Sequence, residues 1–143
     1  MEYYRLTSHT KFDNKYHLVW ITKYRKNILV GEMAVRVRDI IRQTCEKFGV
    51  QIIRGNVSPD HVHIFVSIPP YYPVSKIVQN LKGRSSRIIQ QEFPQIRKEY
   101  WGRHFWGIGY FCVTSGNVTD EMIIKYIEEQ GRNQEDDTFQ ITP

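Results

Sequence analysis

Two histidines separated by one residue are the side chains whose types and spacing most clearly permit chemistry. His61 and His63 lie in the stretch 60–68, whose alternation of apolar residues predicts a strand. Side chains alternate between the two faces of a strand, so both imidazoles fall on the same face. The opposite face is apolar and carries Val62, Ile64, Val66 and Ile68.

Two imidazoles at positions i and i+2 of a strand are close enough to share one divalent ion. Such a pair leaves the remaining coordination positions open to a substrate, which is a catalytic arrangement and not a closed structural one. The alternative is that His61 and His63 are partly buried and hydrogen-bonded to neighbouring groups. The spacing alone leaves both interpretations open.

A tyrosine and a glutamine lie on the last predicted helix. This helix is predicted to start at Thr119, a favourable N-cap residue, and to end before Gly131. Tyr126 and Gln130 are four positions apart and therefore share one face of it. On this spacing alone, a surface residue near a helix end is the preferred interpretation of Gln130.

The elements that must position these side chains follow from hydrophobic periodicity and turn residues. In chain order they are a strand at 16–24, a helix at 31–48, a strand at 50–57, the histidine strand, a helix from 74 to about 93, a strand at 107–114 and the C-terminal helix. This order predicts an α+β, ferredoxin-like antiparallel sheet with helices on one face and an added C-terminal helix. The histidines would then lie in the centre of the sheet on the face that the first two helices leave uncovered, where the last helix could cover them.

Length and composition indicate one globular domain. We expect a single domain over residues 1–131, which begins with a surface arm at 1–14, and a loose polar tail over 132–143. Cys45 and Cys112 fall in apolar periodic segments and are expected to be reduced core residues. No apolar run has the length of a membrane span and no signal peptide is recognised, so a cytoplasmic location is expected.

The net charge of +5 favours a polyanionic partner. Two basic groups are candidate contacts to a phosphate backbone, although charge alone does not separate DNA, RNA and membrane: Lys23 and Arg25 after the first strand, and Lys82, Arg84 and Arg87 on the second long helix. The helix residues are equally well explained as a solvated charged face.

The connection at 95–106 mixes rings with cations. Its aromatic residues are Tyr100, Trp101, Phe105 and Trp106. Such rings can stack on unpaired bases, and they can equally fill the core.

Taken together, these motifs resemble the single-tyrosine HUH transposases of small insertion sequences that move as single-stranded DNA. The resemblance covers nearly the whole chain. It is carried by the stretches 16–25, 59–63, 81–86, 106–111 and 125–130, in this order and at this spacing.

The resemblance implies a homodimer in which the active sites are shared between the chains. His61, His63 and Gln130 would bind Mg²⁺ or Mn²⁺, and Tyr126 would be the nucleophile. The substrate would be single-stranded DNA with hairpins at the element ends, cut and rejoined through a 5′-phosphotyrosine intermediate. One ester replaces another, so no ATP is needed, and the sequence contains no Gly-rich phosphate loop.

Three other functions are compatible with the same residues. A related tyrosine transposase could process palindromic chromosomal repeats with an identical site. A non-catalytic module could bind single-stranded nucleic acid on the exposed face of a ferredoxin-like sheet. A metal-dependent nuclease could use water as the nucleophile, and Tyr126 would then be dispensable.

Overall fold

The computed structural model describes residues 5–6, 11–96, 104–114, 122, 125–126 and 140–141. In chain order its elements are β1 (Arg5–Leu6), β2 (Lys11–Phe12), β3 (Lys15–Ile21), α1 (Gly31–Lys47), β4 (Gln51–Ser58), β5 (His61–Ser67), α2 (Val74–Glu92), β6 (Phe111–Thr114) and β7 (Gln140–Ile141). A single 3-10 turn follows β3 at Lys23–Arg25.

The main sheet has the strand order β6-β3-β5-β4-β7. β5 lies antiparallel to both β3 and β4, and β6 lies antiparallel to β3. The first and third strands of the β3-α1-β4-β5-α2-β6 unit are therefore side by side in the centre. This is the ferredoxin-like arrangement, so the predicted fold class is confirmed.

Both long helices pack on one face of the sheet. α1 and α2 bury apolar stripes at helical spacing, with Val37 on α1 and Leu81 on α2 both fully buried. Trp20 of β3 and Ile64 of β5 face these stripes, also fully buried. Because this face forms the hydrophobic core, polar chemistry is left to the opposite face of the sheet.

The predicted boundaries of the central elements agree with the structure, and those of the outer strands do not. α1, β4, β5 and α2 begin and end within one residue of the predicted positions. β3 ends at Ile21, three residues early, because Tyr24 adopts a φ of 58°, which a strand cannot contain. β6 begins at Phe111, four residues late, and Gly109 in the preceding segment has a φ of 84°.

Part of the predicted N-terminal arm is fixed to the domain. β1 and β2 form an antiparallel pair, and the Phe12 side chain is buried. The Arg5 guanidinium donates hydrogen bonds to the carbonyl oxygens of Ser67, at 2.8 Å, and Gly49, at 2.7 Å. The sequence did not predict this pairing, because strands of two residues are too short to produce a hydrophobic period.

The rings of the connection before β6 belong to the core where the structure describes them. Phe105 and Trp106 are buried, and the Trp106 ring meets the Trp20 ring edge-on with centroids 5.9 Å apart. The core interpretation is therefore correct for these two rings. Tyr100 and Trp101 lie outside the described residues.

The two cysteines differ from each other. Cys45 is buried in α1, as predicted, and burial raises the pKa of its thiol to about 12. Cys112 is exposed, so the prediction of a core residue is wrong. Cys112 is paired with Leu18 and shares its face of the sheet, but it lies on the edge strand β6, where one side has no neighbouring strand.

The C-terminal part of the chain is described only in places. Met122, Lys125 and Tyr126 are helical, whereas the predicted turn at 115–117 and the predicted helix ends, Thr119 and Gly131, lie outside the described residues.

Part of the predicted loose tail forms a strand. β7 runs parallel to β4, with Gln140 opposite Asn56, so the prediction of a loose tail is wrong at this point. Among the described helices, none has the length and apolar character of a membrane span.

Candidate active site

The register between the strands fixes which side chains share a face with the histidines. Residues directly opposite each other in neighbouring strands point to the same side of a sheet. Val19 of β3 lies opposite His63, and Ile21 lies opposite His61. We call this side the histidine face; β4 contributes Asn56 and Ser58 to it.

His61 is held by the residue that precedes it. The Nδ1 atom of His61 lies 3.0 Å from the Oδ1 atom of Asp60, and both side chains are buried. A carboxylate at this distance accepts the Nδ1 proton, which leaves the lone pair on Nε2. This is the tautomer of a histidine that coordinates a metal through Nε2. From the sequence alone, Asp60 was assigned no role in the site.

His63 is held by a histidine that sequence reasoning did not single out. The Nε2 atom of His63 lies 3.0 Å from the Nδ1 atom of His17, so that one ring donates and the other accepts. The His17 ring also stacks on Phe65, with centroids 4.2 Å apart and planes 14° apart. His17 has the same parity along β3 as Val19, and this signal could have placed it on the histidine face.

The histidine face is enclosed. His61 is 0% exposed and His63 is 9% exposed, which agrees with the interpretation of these residues as buried and hydrogen-bonded to neighbouring groups. Asn56 and Ser58 beside them are also buried, and Asn56 Nδ2 donates a hydrogen bond of 2.6 Å to Ser58 Oγ. Side chains from three neighbouring strands contribute to this face, which the sequence of one strand does not reveal.

Tyr126 lies on the same face of the sheet. Its ring is half-buried against Val19 and its centroid lies 5.0 Å from that of Phe111. Val19 is also the residue directly opposite His63 in the sheet. Tyr126 and His63 are therefore both neighbours of Val19. Burial raises the pKa of the Tyr126 hydroxyl above its ordinary value.

Two of the three predicted metal ligands, His61 and His63, lie among the described residues. Within these residues, no group of three or more His, Cys, Asp or Glu side chains could hold a metal ion. The third predicted ligand, Gln130, lies outside the described residues. The carboxylate-held tautomer of His61 fits a metal ligand, because ligating histidines characteristically donate their other N–H to such a group.

The basic side chains of α2 lie in different surroundings. Lys82 Nζ donates hydrogen bonds of 2.8 Å to the Gly107 carbonyl and 2.9 Å to the Gly109 carbonyl, and burial lowers its pKa. Arg84 and Arg87 instead line an open groove of about 640 Å³ along α2. The other residues that line this groove are Ser75, Lys76, Gln79, Asn80 and Gly83.

The remaining two candidate DNA contacts lie in the 3-10 turn after β3. Arg25 is exposed, and the Lys23 ammonium lies 5.2 Å from the centroid of the Tyr24 ring. The Thr22 amide at the start of this turn donates a hydrogen bond to the Asp60 carbonyl. The turn that carries these cations is therefore anchored to the start of β5, the strand that carries both histidines.

Comparison with known proteins gives matches over most of the chain. Residues 10–130 match a family model described as "Transposase IS200 like". The chain is 39% identical over 116 residues to the ISDra2 transposase TnpA of Deinococcus radiodurans, covering 81% of this chain and 83% of that one. It is 37% identical over 123 residues to the transposase for insertion sequence element IS200 of Salmonella typhimurium, covering 86% and 80%.

Solved structures agree with this match. A crystallised Deinococcus radiodurans R1 protein, assigned as a transposase, superposes with a TM-score of 0.80 at 32% identity, covering 88% of this chain and 97% of that one. A REP-associated tyrosine transposase bound to a REP hairpin superposes with a TM-score of 0.57 at 12% identity, covering 90% and 78%. The second likeness concerns the fold alone.

Proposed function

Since the chain belongs to the IS200-like transposase family, we propose that it cleaves and rejoins single-stranded DNA with Tyr126 as the nucleophile. The substrate is the hairpin-bearing end of a mobile element, and the intermediate is a 5′-phosphotyrosine. The reaction depends on a divalent metal and not on ATP.

The observation that carries this proposal is the position of Tyr126 on the histidine face. A tyrosine with only a packing role could lie anywhere around the core. The Tyr126 ring instead packs on Val19, which lies directly opposite His63 in the sheet. The proposed nucleophile and the two histidines come from two elements, the C-terminal helix and β5, and lie on one side of the sheet. That arrangement suits a phosphate placed between them.

The chemistry exchanges one phosphodiester for another. The Tyr126 oxygen forms a bond to phosphorus, the bond from phosphorus to the 3′ oxygen breaks, and the phenol proton is balanced by protonation of the departing 3′ oxygen. Little bond energy is lost, so the 3′-OH of a second DNA end reverses the step and joins the strands. This reversibility removes the need for ATP.

The metal ligands of the proposal are His61, His63 and Gln130. A Mg²⁺ or Mn²⁺ ion held there would offset the negative charge that develops on the scissile phosphate. Asp60 keeps His61 in the tautomer that such a ligand needs. Imidazole ligands favour transition metals over Mg²⁺, so Mn²⁺ is expected to support the faster reaction.

The DNA is held by two groups of basic residues. Arg84 and Arg87 line the groove of α2, where a phosphate backbone could lie, and Lys23 and Arg25 lie in the turn that is bonded to Asp60. Binding through such groups releases counterions from the DNA. Affinity should therefore fall steeply as the salt concentration rises.

The proposal is tested by covalent capture. A single-stranded oligonucleotide with a hairpin is incubated with the protein and Mn²⁺, and the reaction is analysed by denaturing gel and by mass spectrometry of tryptic peptides. The expected product is a DNA adduct on the peptide that contains Tyr126. Tyr126→Phe should bind the hairpin as before and form no adduct, because only the attacking oxygen is removed.

The same assay separates the other functions. A non-catalytic binding module would give a complex and no adduct in the wild-type protein. A nuclease that uses water would cut the strand equally well in Tyr126→Phe, which would refute the assigned nucleophile. A palindrome-processing relative would form the adduct, and would do so on chromosomal repeats in preference to insertion-sequence ends.

A further inference from the structure

The turn that follows β3 holds two consecutive residues in an unfavourable backbone conformation. Tyr24 has a φ of 58° and Arg25 has a φ of 53°. These values lie in the left-handed region, which residues other than glycine, asparagine and aspartate rarely adopt. Each such residue costs conformational free energy. Outliers of this kind persist only where the surroundings impose them, and they cluster at ligand-binding sites.

Hydrogen bonds from three parts of the chain impose this conformation. The amide of Thr22 donates to the Asp60 carbonyl and the amide of Lys23 donates to the Phe105 carbonyl, each at 3.0 Å. The Thr22 hydroxyl donates to the Lys26 carbonyl at 2.8 Å. The turn is therefore clamped between the start of β5 and the segment before β6.

The enforced conformation does not bury the aromatic side chain. Tyr24 is 68% exposed, so its ring contributes little to the core. Lys23 lies close to the ring, and Arg25 is exposed beside it. Thr22 is bonded to Asp60, which itself holds His61, so the turn that carries the exposed ring is anchored to a residue that supports the proposed catalytic site.

We propose that Tyr24 is a stacking platform for an unpaired base of the DNA strand that enters the active site. The flanking cations Lys23 and Arg25 neutralise the phosphates on either side of that base. An exposed ring between cations is the usual means by which proteins hold single-stranded DNA, because every base offers a flat surface. The inference rests on the proposed function, since it requires single-stranded DNA at this site.

The chain provides a matched control. Tyr71 is 66% exposed and also lies in a connecting segment, but it follows the end of β5 that is remote from His61. Its removal changes the exposed aromatic surface as much as removal of Tyr24. If DNA binding depends on the position of the ring and not on exposed rings in general, only loss of the Tyr24 ring should reduce DNA affinity.

The first measurement uses a hairpin-bearing oligonucleotide in which 2-aminopurine replaces each unpaired base in turn. Stacking on a tyrosine ring should quench the fluorescence of one of these bases in the wild-type complex and in Tyr24→Phe, but not in Tyr24→Ala. Tyr24→Ala should bind about 5- to 150-fold more weakly, the range for loss of one base–aromatic stack, and Tyr71→Ala should bind like the wild type.

A second pair of variants separates stacking from folding. Glycine adopts a positive φ without penalty, so Tyr24→Gly should unfold at a temperature at least as high as Tyr24→Ala. Both should lose the same DNA affinity, because both lack the ring. Loss of affinity that follows the unfolding temperature would overturn the inference, since it would assign Tyr24 a purely structural role.

The remaining outcomes distinguish this inference from the proposed function. A wild-type protein that binds no single-stranded DNA refutes the proposed function and the inference with it. A wild-type protein that binds and forms the Tyr126 adduct, while no base is quenched or Tyr24→Ala binds like Tyr71→Ala, refutes the inference alone.

Discussion

The Oδ1 atom of Asp60 lies 3.0 Å from the Nδ1 atom of His61, and neither side chain is exposed to solvent by more than 2%. The two residues are adjacent in sequence, and Asp60 ends the turn that connects β4 to β5. Its carbonyl also accepts a hydrogen bond from the amide of Thr22. The same residue therefore fixes the turn through its backbone and the histidine through its side chain.

Replacement of the Asp60 side chain should weaken metal binding without removing a ligand. Asp60→Ala leaves His61 free to change tautomer and to rotate, so we expect Mn²⁺ affinity to fall about 10- to 100-fold. Asp60→Asn retains an oxygen acceptor and should lose less. Electron paramagnetic resonance of free Mn²⁺ during a titration measures the affinity.

Two further measurements make this prediction specific. In the metal-free wild-type protein, nitrogen NMR of the imidazole should show the proton of His61 on Nδ1, and Asp60→Ala should show a mixture of tautomers. Thermal unfolding identifies any variant that fails to fold. A folded Asp60→Ala protein with wild-type Mn²⁺ affinity would contradict the assigned role.

The sequence predicts the parts of this site that depend on local periodicity. The alternation along 60–68 is sufficient to put His61 and His63 on one side of a strand. His17 and Asn56 belong to other strands, and their contribution depends on a register that no single segment encodes. The extent to which this face is buried depends on the same register.

The outer parts of the fold escape prediction on different physical grounds. β1, β2 and β7 are two residues long and produce no hydrophobic period. Cys112 follows the pattern of a buried residue, but the edge position of β6 leaves it exposed. The length of these strands and the edge position of β6 explain the differences from the prediction, and side-chain type alone reveals neither.

The rate of DNA cleavage should rise with pH beyond the range of ordinary histidine titration. Burial raises the pKa of Tyr126 above its ordinary value of 10, so the neutral phenol is favoured and only a small phenolate fraction exists at pH 7. If the phenolate attacks, the single-turnover rate should increase about tenfold per pH unit between pH 7.5 and 9.5.

Hairpin affinity measured at each pH is the control, because a change in binding could imitate a change in chemistry. A rate that reaches a plateau below pH 9 would show that the attacking tyrosine has a lower pKa than the buried Tyr126 hydroxyl. The reacting hydroxyl would then occupy a different environment from the one beside Val19 and Phe111.

Two neighbouring basic residues of α2 should have separable effects. Arg87 lines the groove, so Arg87→Ala should weaken hairpin binding and reduce the slope of log affinity against log salt by about 1. Lys82 donates to two backbone carbonyls, so Lys82→Met should lower the free energy of unfolding by about 1–2 kcal/mol. Salt titrations and urea unfolding of both variants measure these effects.

The two substitutions are expected to change different quantities, the salt dependence of binding for Arg87 and the stability for Lys82. If Lys82→Met reduces the salt slope and leaves stability unchanged, Lys82 leaves the Gly107 and Gly109 carbonyls to bind DNA. If Arg87→Ala leaves the slope unchanged, the groove is only a solvated surface.

The chain that supplies the nucleophile can be identified by mixing subunits. Tyr126 packs against Val19 and Phe111 of its own chain, whereas the family resemblance implies a site shared between two chains. One chain carries His61→Ala and the other carries Tyr126→Phe, and each homodimer is expected to be inactive. The two are then allowed to exchange subunits, and heterodimers are isolated by two different affinity tags.

The two arrangements predict different results from the same heterodimer. If each site uses one chain, one site lacks a metal ligand and the other lacks the nucleophile, so no adduct forms. If the sites are shared, one site carries both defects and the other carries none, and up to about half of the wild-type activity per dimer returns for independent sites. The DNA adduct should then be found only on the His61→Ala chain, because that chain retains Tyr126. Confirmed heterodimers that form no adduct would instead assign Tyr126 to the metal ligands of its own chain, which is the arrangement compatible with its packing on Val19.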